Sequence, residues 1–131
     1  MTDEERTLAA YRMSRANETL EEAKVLFEAG HINAYVNRLY YACFYALSAL
    51  LLMRGFSTGK HGHLRSVFHR EFVKTGAIAQ EWGRHFDLLF SSRHEGDYAD
   101  FVQFEADEVA PWLERTRGLV GCVEKLLSDR V

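Results

Sequence analysis

Residues 39–53 read LYYACFYALSALLLM, fifteen consecutive uncharged positions bounded by Arg38 and Arg54. A run this apolar either crosses a membrane or is buried inside a protein. Fifteen residues of helix reach about 22 Å, short of the roughly 30 Å hydrocarbon core of a bilayer, so the reading is a core helix and not a span. Followed to its natural stops, the helix runs from about Ile32 to Arg54 and ends at Gly55, where the lack of a Cβ permits the left-handed turn that closes a helix. Ala42, Cys43, Ala46, Ser48 and Ala49 let neighbouring helices approach closely, while Tyr40, Tyr41, Phe44 and Tyr45 supply bulk.

The flanking segments carry helical spacing of their own. From Asp3 to Ala29 a stripe of Leu8, Tyr11, Arg12, Arg15, Ala16, Leu20, Ala23 and Phe27 recurs near the helical period, and Gly30 closes the run. GFSTGKHG at 55–62 reads as a loop. A short helix then starts at His63 or Leu64 and reaches Lys74, with Leu64, Val67, Phe68 and Phe72 on one face. Ala79 to about His94 places Trp82, Phe86, Leu89 and Phe90 together, and EGDY at 95–98 is expected to end that helix near Arg93. A last helix spans Glu105 to Leu127, where Pro111 is tolerable only as a kink or in a first turn. The fold class is therefore all-α: an up-and-down bundle of four long helices plus a short fifth, in a single domain over 1–131.

Composition limits what such a bundle can do. The chain has 131 residues, 47% hydrophobic and 27% charged, with one proline and a formal net charge of −3. These proportions suit one folded domain and argue against disorder or a turn-rich β fold. The charge is uneven: residues 31–100 are net +2 and hold all six histidines, between two acidic ends. Any site for a polyanion is expected in that middle stretch. Cys43 and Cys122 form no CxxC and read as two buried thiols. MTDEERTLAAYRMSR is charged where a secretory signal would be apolar, so the expected compartment is the cytoplasm.

No GxxxxGK[ST], GxGxxG, GxSxG or HExxH occurs, which removes phosphate-loop enzymes and the standard hydrolases. His61 and His63 could share a metal with a third ligand such as Asp97, but two histidines are weak evidence and no metal or other cofactor is expected. His69 and His85 read as boundary residues of their helices. Asn33, Asn37 and Tyr41, at i, i+4 and i+8, form a polar stripe on the apolar helix with Arg38 beside it. An arginine there needs a carboxylate, with Glu95, Asp97 and Asp100 as candidates, and the stripe serves either an internal polar network or a site. The densest polar cluster is Arg93-His94-Glu95-Gly96-Asp97-Tyr98. Its guanidinium can hold a phosphate bidentately, and its phenol can stack on a base.

AYVNRLYYACFYALSALLLMRG (34–55), KHGHLRSVFHREFVKTG (60–76) and LFSSRHEGDY (89–98), in this order and spacing, resemble the HEPN superfamily, the higher eukaryotes and prokaryotes nucleotide-binding domain. The likeness runs from about Leu8 to Leu127, and it is nearest the small stand-alone bacterial and archaeal proteins of the nucleotidyltransferase-associated, UPF0332-like group. The resemblance implies a homodimer and a minimal nucleotidyltransferase as partner in a toxin–antitoxin-like pair. It also implies, in better-characterised relatives, metal-independent cleavage of RNA by an Arg followed after four to six residues by a His. The histidine acts as acid or base at the ribose 2′-hydroxyl, and the arginine stabilises the phosphorane charge.

Here Arg93 occupies the arginine position, but the positions that should carry histidine hold none. The one place where the spacing occurs, Arg54 to His61, spans a helix end and the glycine loop and reads as coincidence. The expected site is therefore Arg93 with His61 or His94 as a displaced histidine, and Arg38, Asn37, Tyr41, Asp97 and Tyr98 binding nucleotide or RNA phosphate. Three functions stay open at this point: a phosphate-binding partner of a nucleotidyltransferase, a metal-independent endoribonuclease toxin, and a non-catalytic structural dimer.

Overall fold

The computed structural model describes residues 1–98 and 102–129, with side chains described at 1–93 and 102–129. Four long helices, α1 (Asp3–Glu28), α2 (Ile32–Leu51), α4 (Gln80–Tyr98) and α6 (Trp112–Ser128), surround one core, with a short α3 (His61–Phe68) and a single turn α5 (Ala106–Val109). The described residues contain no strand.

α2 is the centre. Tyr35, Leu39, Tyr40, Ala42, Cys43, Ala46, Leu47, Leu50 and Leu51 are all buried, because α1, α3, α4 and α6 each pack on a different side of it. By length and composition Ile32–Arg54 would suffice to cross a membrane, but here it is mostly enclosed by the other helices. Its last residues tighten into a 3₁₀ turn, Leu52–Arg54, and Gly55 closes it at φ 78°.

α1 starts with a reciprocal cap. The Thr2 hydroxyl accepts from the Glu5 amide at 3.0 Å while Glu5 accepts from the Thr2 amide at 2.9 Å, satisfying two amides that the helix itself cannot pair. Its buried stripe is Ala9, Met13, Ala16, Leu20 and Ala23. This corrects the expected face in the first half, since Leu8 and Tyr11 are exposed. The reason lies on α2: its small residues admit the alanines of α1 at positions seven apart, and a tyrosine there would hold the helices apart.

Two other boundaries move. α3 begins at His61, ahead of the expected start at His63 or Leu64, and continues past Phe68 as a π-helical turn, His69–Val73. α4 passes Arg93 and runs to Tyr98, so Gly96 does not end it. A helical glycine costs only about 1 kcal/mol relative to alanine and is not by itself a stop.

Pro111 divides the expected last helix into α5 and α6 and stands as the cap of the second. The break is held by α2: the buried Tyr35 hydroxyl donates to the Val109 carbonyl at 2.9 Å and accepts from the Leu113 amide at 3.1 Å. It thus satisfies a carbonyl that α5 cannot pair and an amide that α6 cannot pair.

Candidate functional site

One face, where α2, the start of α3 and α4 meet, gathers the chemistry. Arg93 on α4 donates from Nη2 to the Tyr41 hydroxyl at 3.1 Å, and its Cζ lies 5.3 Å from the Tyr40 ring centre and 5.5 Å from that of Tyr41. A guanidinium over two phenol rings keeps its charge and gains cation–π stabilisation. Arg38 approaches the same Tyr41 ring, Cζ to centroid 5.0 Å, so two arginines flank one tyrosine.

His61 enters from the first residue of α3. Its ring stacks on Phe44 at 4.3 Å, and its Nδ1 lies 2.6 Å from the hydroxyl of the fully buried Tyr40. Burial, and then the positive charge of Arg93, hold its pKa below the ordinary histidine value, so the imidazole is neutral near pH 7. That field ties His61 to Arg93, residues separated by the whole of α3 and most of α4. Lower on the same face, the Asp87 carboxylate takes Arg65 Nε at 2.7 Å and His69 Nε2 at 2.8 Å, while the Arg65 guanidinium lies 5.2 Å from the Phe90 ring centre.

The expected residues divide accordingly. Arg93, His61, Tyr41, Arg38 and Asn37 come together. Asn37 accepts from Arg38 Nε and Nη2 at 3.2 and 2.8 Å. Arg38 has a carboxylate on α1, Glu22 Oε1 at 3.7 Å; the side chains of its expected partners Glu95, Asp97 and Asp100 lie outside the described residues. α1 packs along α2 and brings its acidic outer edge to Arg38. The side chains of His94, Asp97 and Tyr98 lie outside the described residues.

Asn33 leaves the stripe and serves the fold, its Nδ2 donating to the Val102 carbonyl at 2.9 Å and its Oδ1 accepting from the Phe104 amide at 3.2 Å. Arg54 lies over the Phe72 ring, centroid distance 5.1 Å. His85 is buried and not a boundary residue. Its Nε2 lies 2.9 Å from the Thr116 hydroxyl, which itself donates to the Trp112 carbonyl, and burial pushes its pKa down to about 4. Cys43 is fully buried, with burial pushing the thiol pKa up, whereas Cys122 is only half-buried. Among the described residues no three His, Cys, Asp or Glu side chains gather as a metal site.

Tyr40, Phe44, Phe90 and Arg65 join the site without having been expected there. Tyr40 and Phe44 carried a signal, two aromatics at i, i+4 on the helix that also bears Tyr41, but inside so apolar a run they read as core.

The HEPN domain family matches residues 9–126 of the chain. The UPF0332 protein of Thermotoga maritima is 40% identical over 127 residues, covering 97% of this chain and 96% of its own length. A Methanocaldococcus jannaschii protein named "Putative toxin MJ0142" is 25% identical over 90% of this chain and 80% of its own. Among solved structures, TT1696 from Thermus thermophilus superposes with a TM-score of 0.74 at 16% identity, covering 89% of this chain and 96% of that one, a likeness of fold. The chain belongs to the HEPN domain family, within its UPF0332-like group.

Proposed function

We propose that this HEPN protein binds the phosphate of a nucleotide or of RNA at the α2–α3–α4 face and works with a minimal nucleotidyltransferase in a toxin–antitoxin-like pair. The observation that carries the reading is Arg93 held across Tyr40 and Tyr41 beside a neutral His61. A fixed guanidinium is suited to an oxyanion, and the exposed parts of Tyr41 and Phe44 offer rings on which a base can stack. Relatives named as toxins support the pairing. The test is calorimetric titration with 5′-AMP and with a short single-stranded RNA, together with co-purification against the product of the adjacent gene. Arg93→Ala should abolish ligand binding. Unchanged binding by the variant, or none by either protein, refutes the phosphate reading.

The placement of His61 favours a second reading, a metal-independent endoribonuclease. Proton transfer by a histidine and charge stabilisation by an arginine are the two acts that such cleavage requires. Incubation with RNA in the presence of a chelator should then give cleavage that both His61→Ala and Arg93→Ala remove. Activity that survives either substitution excludes this chemistry.

A further inference from the structure

Tyr40 is fully buried, and among the described residues its hydroxyl has a single hydrogen-bond partner, Nδ1 of His61 at 2.6 Å. Burial pushes the phenol pKa up, so the hydroxyl keeps its proton. A buried hydroxyl that keeps its proton must donate it to something, and the acceptor within reach is Nδ1. The converse arrangement, an Nδ1–H donating to the phenol oxygen, would leave the hydroxyl hydrogen enclosed with no acceptor. An Nδ1 that accepts carries no hydrogen, and in a neutral imidazole the hydrogen then resides on Nε2. Among the described residues, the titratable and charged groups facing this ring are Tyr40 and Tyr41 from α2 and Arg93 from α4. Nε2 makes no hydrogen bond to any described residue, and the ring is only partly buried, so its hydrogen is available.

We propose that Tyr40 is a positioning residue that holds His61 as an Nε2–H donor, so that His61 donates alongside Arg93 to the oxygens of a phosphate group. The choice of ligand rests on the phosphate-binding reading above; the state of His61 rests on the buried hydrogen bond alone. Such an arrangement attracts an anion without requiring a second buried cation beside Arg93.

Ring ¹⁵N spectra of the wild-type protein test the tautomer directly: Nδ1 should be of the unprotonated type and Nε2 of the protonated type, and the reverse overturns the proposal. Titrating His61 in Tyr40→Phe tests the direction of the bond. A donor to Nδ1 stabilises the neutral ring, so its removal should raise the His61 pKa. If Tyr40 were the acceptor, its removal would lower that pKa; a lowered or unchanged value overturns the assignment. Phenylalanine keeps the ring that stacks on Phe86 and His61, so the variant is expected to fold. At a pH where both proteins hold a neutral ring, inorganic phosphate should bind Tyr40→Phe more weakly than wild type by up to about 2-fold, because the released ring spends part of its time with no hydrogen on Nε2. Equal binding overturns the link from Tyr40 to the ligand. If the pKa rises in Tyr40→Phe but phosphate binds neither protein, the phosphate receptor is refuted while the Tyr40–His61 bond stands.

Discussion

Arg93 reaches from α4 back to α2 and donates a hydrogen bond from Nη2 to the Tyr41 hydroxyl at 3.1 Å. The bond fixes the guanidinium at a defined angle over two rings, which a lysine with its compact charge and flexible stem does not reproduce. Arg93→Lys should therefore lose most of the affinity for 5′-AMP that Arg93→Ala loses. Tyr41→Phe, which keeps the ring and removes the acceptor, should cost about 1 kcal/mol of stability and less than tenfold in affinity. Chemical denaturation and calorimetry on the three variants would read both quantities.

Tyr35 is expected to matter to the fold far more than to binding. Its hydroxyl serves both the last carbonyls of α5 and the first turn of α6, all in a buried setting. Tyr35→Phe strands those groups and should lower stability by about 1–3 kcal/mol, measured by urea denaturation, with 5′-AMP affinity unchanged.

The two glycines of α6 should respond in opposite directions. A Cβ at Gly118 would stand 2.5 Å from Trp82 Cη2, whereas one at Gly121 would meet nothing within 4 Å. Gly121→Ala should stabilise the protein by up to about 1 kcal/mol through helix propensity. Gly118→Ala has the same propensity gain but must displace a large rigid ring, and overpacking typically costs about 1–3 kcal/mol, so its melting temperature should fall.

Acid should weaken the bundle through His85. The folded state lowers its pKa from 6.5 to about 4, chiefly by burial and then by the charge of Arg115. Between those values the unfolded chain binds a proton that the folded chain refuses, so stability falls as pH drops through this window and levels off below it. The stability is fully present above pH 6.5. The loss attributable to this group is on the order of 3 kcal/mol. His85→Gln can still donate to Thr116 and does not titrate. Melting curves of wild type and variant should diverge as the pH is lowered from 7 to 4.5; parallel curves would exclude His85 as the cause.

Much of this protein was legible in its sequence. The uncharged run between Arg38 and Arg54 marked the core helix, and Gly30 and Gly55 marked helix ends that both adopt positive φ. Leu64, Val67, Phe68 and Phe72 are buried together as their spacing requires, because periodicity is a local property. The candidate site was legible only as residue types: Arg93, a displaced histidine, and the polar stripe of Asn33, Asn37 and Tyr41 with Arg38 beside it.

What the sequence did not contain was which of these meet. Leu8 and Tyr11 fit the helical period as well as Ala9 and Met13 do, and only the small-residue face of α2 decides between them. Nothing in the local spacing around Arg38 points to Glu22, yet the packing of α1 on α2 brings that carboxylate to it. Tyr40 read as core and is core, but its one polar atom is what holds His61. Helical period, caps and hydrophobic burial act over a few residues and are written in the chain. The pairing of His61 with Tyr40 and Arg93 depends on how α2, α3 and α4 pack, and no local spacing encodes a distance between helices.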